Sequence, residues 1–162
     1  MIKIKFICVG GTIDKVYFDA KSKYEVGPPN IISVLKELNL AFKYSVESVL
    51  KKDSLDMKES DRELVYQKIN SCVEDMIIIT HGTDTMVETA KYLSKIKNKT
   101  IVLTGALEPA MFKTSDAVFN IGSAIAAVQS LKPDIYIAMN GRIYNHNNVR
   151  KNLNKNRFEE IS

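Results

Sequence analysis

Residues Asp75–Leu93 read DMIIITHGTDTMVETAKYL. Met76–Thr80 is a short, continuously apolar run, the pattern of a strand buried on both faces, as in a parallel sheet. From Met86 the period lengthens, and Met86, Ala90 and Leu93 share one helical face. Between the two lies THGTDT (Thr80–Thr85), with hydroxyls, an imidazole, a glycine and a carboxylate at the C-terminal end of a buried strand. A strand, a polar loop and a helix in that order form half of a βαβ unit.

Outward from this segment the same pattern recurs. Ile2–Val9 reads as a strand that ends at Gly10–Gly11, and Phe42–Leu50 as an edge-like strand. Ile31, Val34, Leu35 and Leu38 have helix spacing, with Asn30 placed as N-cap. SDRE (Ser60–Glu63) has the form of a capping box that opens a helix through about Cys72. Thr100–Gly105 and Asp134–Gly141 read as further strands, and Ser115–Val128 as a helix rich in small residues. Alternating strands and helices imply an α/β fold, with a mostly parallel sheet and helices on both faces, in a Rossmann-like or flavodoxin-like three-layer arrangement. A single domain over residues 1–162 is expected. Right-handed crossovers bring the C-terminal ends of the strands to one rim, where open α/β sheets bind ligands. Gly10–Thr12, Thr80–Thr85, Gly105–Ala106 and Asn140–Gly141 should meet there.

Composition narrows the function classes. The 162 residues are 45% hydrophobic with a net charge of +4, too mild to indicate nucleic acid. The one basic cluster, Arg150, Lys151, Lys155 and Arg157, reads as a solvated helix face. Cys8 and Cys72 lack CxxC spacing and read as free buried thiols of a reducing compartment. The N-terminus alternates charge and hydrophobicity as a strand does, unlike a signal peptide. No apolar run approaches the roughly 20 residues of a membrane span. The expectation is a soluble cytoplasmic protein with no membrane or nucleic-acid partner.

The rim supplies the chemistry. GGTID (Gly10–Asp14) has paired glycines that allow close backbone approach but is neither GxGxxG nor a P-loop. Thr12 is the first reactive side chain after the first strand. It reads either as a turn-capping hydroxyl or as a nucleophile, which would need a partner for its proton. Thr83 and Asp84 read as helix caps or as ligand-binding groups. His81 reads as a structural hydrogen-bonder, and with His146 as the only other histidine no metal site is indicated. Taken singly, Tyr24 reads as packing in a Gly/Pro-containing loop, and Lys151 as an ordinary basic residue.

In this order GGTI (Gly10–Ile13), THGTDTMVETA (Thr80–Ala90) and VLTGALEPA (Val102–Ala110) resemble the bacterial-type L-asparaginase family, specifically its N-terminal domain. DSLDM (Asp53–Met57), SDAVFNI (Ser115–Ile121) and NNVRKN (Asn147–Asn152) match weaker signatures, and the resemblance runs from about Ile4 to Asn152. It implies hydrolysis of asparagine or a related small amide to aspartate and ammonia, without a cofactor or metal. By the same resemblance Thr12 is the nucleophile and Tyr24 its activating partner on a mobile loop, while Thr83, Asp84 and Lys151 form a second triad. Ser54 and Asp84 would grip the substrate's α-carboxylate and α-amino groups. Leu55, Gly11, Gly82 and Ala106 would complete the substrate site, with main chain around the amide. A lysine amine that has lost a proton can accept that of a neighbouring threonine, and N–H groups at the glycine turn can hold an oxyanion.

Two departures from the family pattern stand out. The family's smaller C-terminal domain, which contributes to a neighbouring subunit's site, is not matched, and Leu55 stands where a polar residue is usual. Glu108 in GALEP is a further difference. A homo-oligomer is expected. The alternatives are a non-catalytic module that binds a small amino acid or amide, or a subunit completed by a partner chain.

Overall fold

The computed structural model describes residues 1–161. In chain order it comprises β1 (Lys3–Gly10), β2 (Lys15–Phe18), β3 (Lys23–Val26), α1 (Ile31–Glu37), β4 (Lys43–Lys52), α2 (Glu59–Ser71), β5 (Met76–Thr80), α3 (Met86–Tyr92), β6 (Thr100–Thr104), α4 (Ala117–Ser130), β7 (Asp134–Met139), β8 (Arg142–Asn145), β9 (Arg150–Asn152) and β10 (Arg157–Glu159). Six strands form one sheet in the order β4-β1-β5-β6-β7-β8. All neighbours are parallel except β7 and β8. Counted alone, the parallel strands follow the flavodoxin-like order, whose topological switch point lies between β1 and β5.

Side-chain alternation along the buried strands builds two cores. Ile7, Ile77, Ile79, Ile101, Leu103, Ile135 and Ile137 cluster on one face with Val65 and Ile69 of α2 and Met86 and Ala90 of α3. Phe6, Cys8, Ile78, Val102 and Ala138 point the other way, toward Ile31 and Leu35 of α1 and Ile121 and Ala124 of α4. The expected helix layer on each face is present. A truncation such as Ile78→Ala, in a side chain with no exposure, would cost about 2–5 kcal/mol. No helix among the described residues is long and apolar enough to cross a membrane.

Several local readings are corrected. Asn30 is the N-cap residue of α1 but makes no side-chain cap; its N–H instead donates to Asp14 Oδ1 at 2.8 Å. Helix α2 opens two residues earlier than the SDRE reading, with Lys58 and not Ser60 as N-cap. Asp61, not Glu63, reaches back to the Lys58 N–H at 2.8 Å and also binds Lys52. The carboxylate thus answers both an orphan backbone donor and a lysine. Cys72, the C-cap residue of α2, is only partly buried, whereas burial pushes the Cys8 thiol up to about 12. The basic C-terminal cluster lies on the antiparallel hairpin β9–β10, not on a helix face. There Arg150 and Lys155 pair with Glu159.

Candidate active site

At the switch point the loops after β1 and β5 meet backbone to backbone. Gly11 has φ 90°, and a Cβ there would fall 2.3 Å from the Gly82 nitrogen. A Cβ on Gly82 would in turn meet the Ser54 side chain at 2.7 Å. Only glycine tolerates both the left-handed backbone and this approach, so GGT and HGT bring three loops into one contact. Ser54, fully buried, is tied to the same place. Its Oγ accepts the Thr85 N–H at 3.3 Å, and its carbonyl accepts the Thr85 hydroxyl at 2.8 Å.

The Thr85 hydroxyl is therefore occupied, and Thr85, not Thr83 or Asp84, stands at the N-cap position of α3. Thr83 and Asp84 are left for another partner. Lys151 Nζ, from β9, donates to Thr83 Oγ1 at 2.7 Å and to Asp84 Oδ1 at 2.8 Å. Thr83 is buried and the lysine side chain is only 12% exposed, against 37% for Asp84. Shielding from water strengthens such charge-assisted bonds. The three residues grouped by resemblance are thus in direct contact, 67 and 68 residues apart in sequence.

Nearby, Asp53 pairs with Lys15 at 3.1 Å and accepts the Leu55 N–H at 3.1 Å. Burial pushes its carboxyl up, but the Leu55 N–H and the Lys15 and Lys151 cations outweigh this and leave it below the ordinary value. The Leu55 side chain is 71% exposed.

The loop after β1 is organised differently. Thr12 opens a short 3-10 turn, and its hydroxyl has no hydrogen-bond partner among the described residues. Tyr24 lies in β3 of the hairpin β2–β3, not in an irregular loop. Its half-exposed ring sits 5.3 Å from the Tyr17 ring and 5.6 Å, edge-on, from that of Phe112. No hydrogen bond joins Tyr24 to Thr12, so the structure does not pair these two.

His81 is fully buried and strung between neighbours. Nδ1 lies 2.7 Å from the Gly82 carbonyl, and Nε2 lies 2.8 Å from Thr89 Oγ1, which also accepts Arg62 Nε at 3.0 Å. The carbonyl can only accept, so Nδ1 carries the proton and Nε2 accepts from Thr89. Burial holds the imidazole neutral by lowering its pKa to about 4. The structural reading of His81 stands. His146 lies against Asp134 and the Ile135 carbonyl, at the opposite end of the sheet.

Sequence reasoning missed several site-building residues. Asp14 is buried, and its carboxylate accepts the Asn30 N–H while its carbonyl accepts the Gly27 N–H at 2.8 Å. It therefore clasps the chain where the β2–β3 hairpin returns, and burial pushes its carboxyl up to about 6. The loop carrying Ala106 is fixed by Asp116, which accepts the Leu107 and Glu108 N–H groups, and by Asn120, which donates to the Gly105 carbonyl at 2.9 Å. Asp116 at the N-cap of α4 and Asn120 one turn into it are polar residues four apart beside apolar neighbours, a signal already visible in SDAVFN. Glu108 accepts the Thr114 hydroxyl at 2.7 Å, within its own loop.

A family model described as Asparaginase, N-terminal, matches residues 3–160. The chain is 31% identical over 159 residues to L-asparaginase 2 of Escherichia coli, covering 91% of this chain and 46% of that relative. Its fold superposes on the thermostable L-asparaginase from Thermococcus kodakarensis with a TM-score of 0.85 and 26% identity, covering 99% of this chain and 51% of that one. For a probable cytoplasmic L-asparaginase from Campylobacter jejuni the TM-score is 0.84 at 28% identity, covering 98% and 53%. The chain spans about half the length of these relatives. With its residues 3–160 matched to the N-terminal domain, the chain belongs to the asparaginase family.

Proposed function

We propose that this chain carries the reaction centre of an amidohydrolase that cleaves asparagine, or a related small amide, to the carboxylate and ammonia. The observation that carries the reading is Lys151 Nζ, held at 2.7 Å from Thr83 Oγ1 and 2.8 Å from Asp84 Oδ1 beside the Gly11–Gly82 contact. Burying a lysine against a threonine and an aspartate at a ligand-binding rim serves no evident packing need.

In this mechanism the Thr12 oxygen attacks the amide carbon, and once the β2–β3 hairpin closes over substrate the Tyr24 hydroxyl accepts the Thr12 proton as it passes its own to the departing amide nitrogen. Backbone N–H groups at the glycine turn hold the oxyanion. The amide nitrogen leaves as ammonia after gaining a proton. Water then hydrolyses the acyl-threonine ester, with Thr83 and Lys151 relaying protons and Asp84 orienting the lysine. Ser54 and Asp84 grip the substrate's charged groups. The exposed Leu55 offers no polar contact beside Ser54, which favours amides that do not depend on one there. The protein acts in the cytoplasm as a homo-oligomer.

Purified protein incubated with asparagine should release ammonia, and Thr12→Ala should abolish the release. A second reading, a binding module for a small amino acid or amide, draws on one observation: the Thr12 hydroxyl is unpartnered while the Lys151 cluster is fully formed. It prevails if aspartate raises the melting temperature while ammonia never exceeds the Thr12→Ala background.

A further inference from the structure

The turn after β7 is Asn140–Gly141, with φ of 54° and 76°, and Met139 pairs with Arg142 across it. Two successive residues of positive φ join β7 to β8 as a tight hairpin, a geometry that asparagine and glycine adopt readily. The turn needs only the backbone of Asn140. Its side chain is engaged elsewhere: Oδ1 accepts the Phe158 N–H at 2.8 Å. The buried Tyr144 hydroxyl, on β8, donates to the Phe158 carbonyl at 2.9 Å.

Both backbone polar groups of Phe158 are thus taken by side chains of the β7–β8 hairpin and face away from β9. In an antiparallel pair this marks a non-hydrogen-bonded position, where the two opposed side chains stand closest on one face. The residue opposite Phe158 is Lys151. The Phe158 side chain is buried in the core while Lys151 reaches Thr83 and Asp84. Hairpin β9–β10 forms its own sheet, apart from the six-stranded one. Polar ties just beyond β10 to the β7–β8 hairpin and the following loop include two exposed ones, Arg142 with Glu160 at 3.0 Å and the Ile161 N–H with Asn148 Oδ1 at 3.2 Å.

We infer that Asn140 is a positioning residue for the Lys151 amine: by holding the Phe158 N–H it sets where β9–β10 rests on the sheet, and hence where Nζ lies between Thr83 and Asp84. A displacement of about 1 Å would take both lysine bonds beyond hydrogen-bond range. The kinetic consequence rests on the amidohydrolase reading, whereas the structural consequence does not.

The test uses Asn140→Gly, which keeps the positive φ and removes the acceptor, and Asn140→Asp, which keeps both. Three quantities are followed: exchange of the Phe158 amide proton, the NMR signal of the Lys151 ε-methylene (assigned by its loss in Lys151→Met), and kcat against KM for ammonia release from asparagine. In Asn140→Gly the amide should exchange about tenfold faster, the lysine signal should move toward that of an exposed lysine, and kcat should fall about tenfold with KM within about twofold. Asn140→Asp should restore all three. If Asn140→Gly does not fold, Tyr144→Phe, which removes the companion bond, should displace the lysine signal in the same direction. The inference is overturned if the Phe158 amide is deprotected while the lysine signal stays in place, if Asn140→Asp is as impaired as Asn140→Gly, or if Tyr144→Phe, used as the substitute, leaves the signal unmoved. A wild-type protein that releases no ammonia would remove the amidohydrolase reading, and the exchange and NMR measurements would still decide the role of Asn140.

Discussion

The two sides of the rim differ in their state of assembly. On the β5 side, Thr83, Asp84 and Lys151 are bonded to one another, and His81, Thr89 and Arg62 brace the loop from within. On the β1 side, the Thr12 hydroxyl has no partner among the described residues, and Tyr24 rests on Tyr17 and Phe112 in a half-exposed hairpin. One side is fixed by charge and burial and persists without a ligand. On the other, Asp14 and the Lys15–Asp53 pair fix only the base of the hairpin, and the Tyr24 ring rests in contacts worth about 1 kcal/mol each. Under the proposed mechanism this is a division of labour, with a rigid proton-handling cluster facing a nucleophile whose surroundings form on closure.

Substitutions on each side should separate these behaviours. In the proposed mechanism Thr12 supplies the attacking oxygen, so Thr12→Ala should lower ammonia release at least about a thousandfold with the melting temperature within a degree or two, since the hydroxyl supports no fold contact. Lys151→Met keeps the aliphatic stem and removes the amine. A loss of about a hundredfold in kcat is expected, with destabilisation measurable by denaturant titration because Asp84 loses its partner. If Thr12→Ala instead destabilises and Lys151→Met does not, the contrast between the two sides is wrong. Tyr24→Phe should be milder, about tenfold in kcat, and should leave the unliganded protein's stability unchanged, because the hydroxyl is not engaged at rest.

Asp14 gives a pH-resolved measure of the β1 side. Its carboxyl is pushed up to about 6 from 3.8, so the folded protein holds the proton longer than the unfolded chain. Its contribution to stability therefore falls as pH rises from about 4 to 6 and is level above that. Asp14→Asn retains an acceptor for the Asn30 N–H without the buried charge. The variant should be more stable than wild type by on the order of 2–3 kcal/mol at pH 7.5, with the difference vanishing near pH 4, in urea titrations at the two pH values. A constant difference across pH would show that the charge is not what burial acts on.

The sheet and its rim were legible because they are written in short-range pattern. The buried runs Met76–Thr80 and Thr100–Thr104 and the glycines that end strands are local signals, and they located the loops that meet. The hairpin β9–β10 was not legible. Arg150 and Lys155 look like part of a solvated helix until both are seen to pair with Glu159 on the hairpin, whose place on the sheet is set by the tertiary contact of Phe158 with Asn140. Asp14 and Asn30 were similarly opaque, since a carboxylate that satisfies a backbone N–H sixteen residues away leaves no periodic trace. The grouping of Thr83, Asp84 and Lys151 came from family resemblance, and neither spacing nor composition could have supplied it.

The route by which Lys151 reaches its partners also bears on how the protein is made. The loop with Thr83 and Asp84 is synthesised 67 to 68 residues before the amine that joins it. During vectorial synthesis the β1 and β5 loops can meet while this cluster still lacks its cation, and pairing over such a separation closes late because loop entropy must be offset first. A nascent chain is therefore expected to have a folded sheet while Thr83 and Asp84 still await Lys151, until β9 emerges.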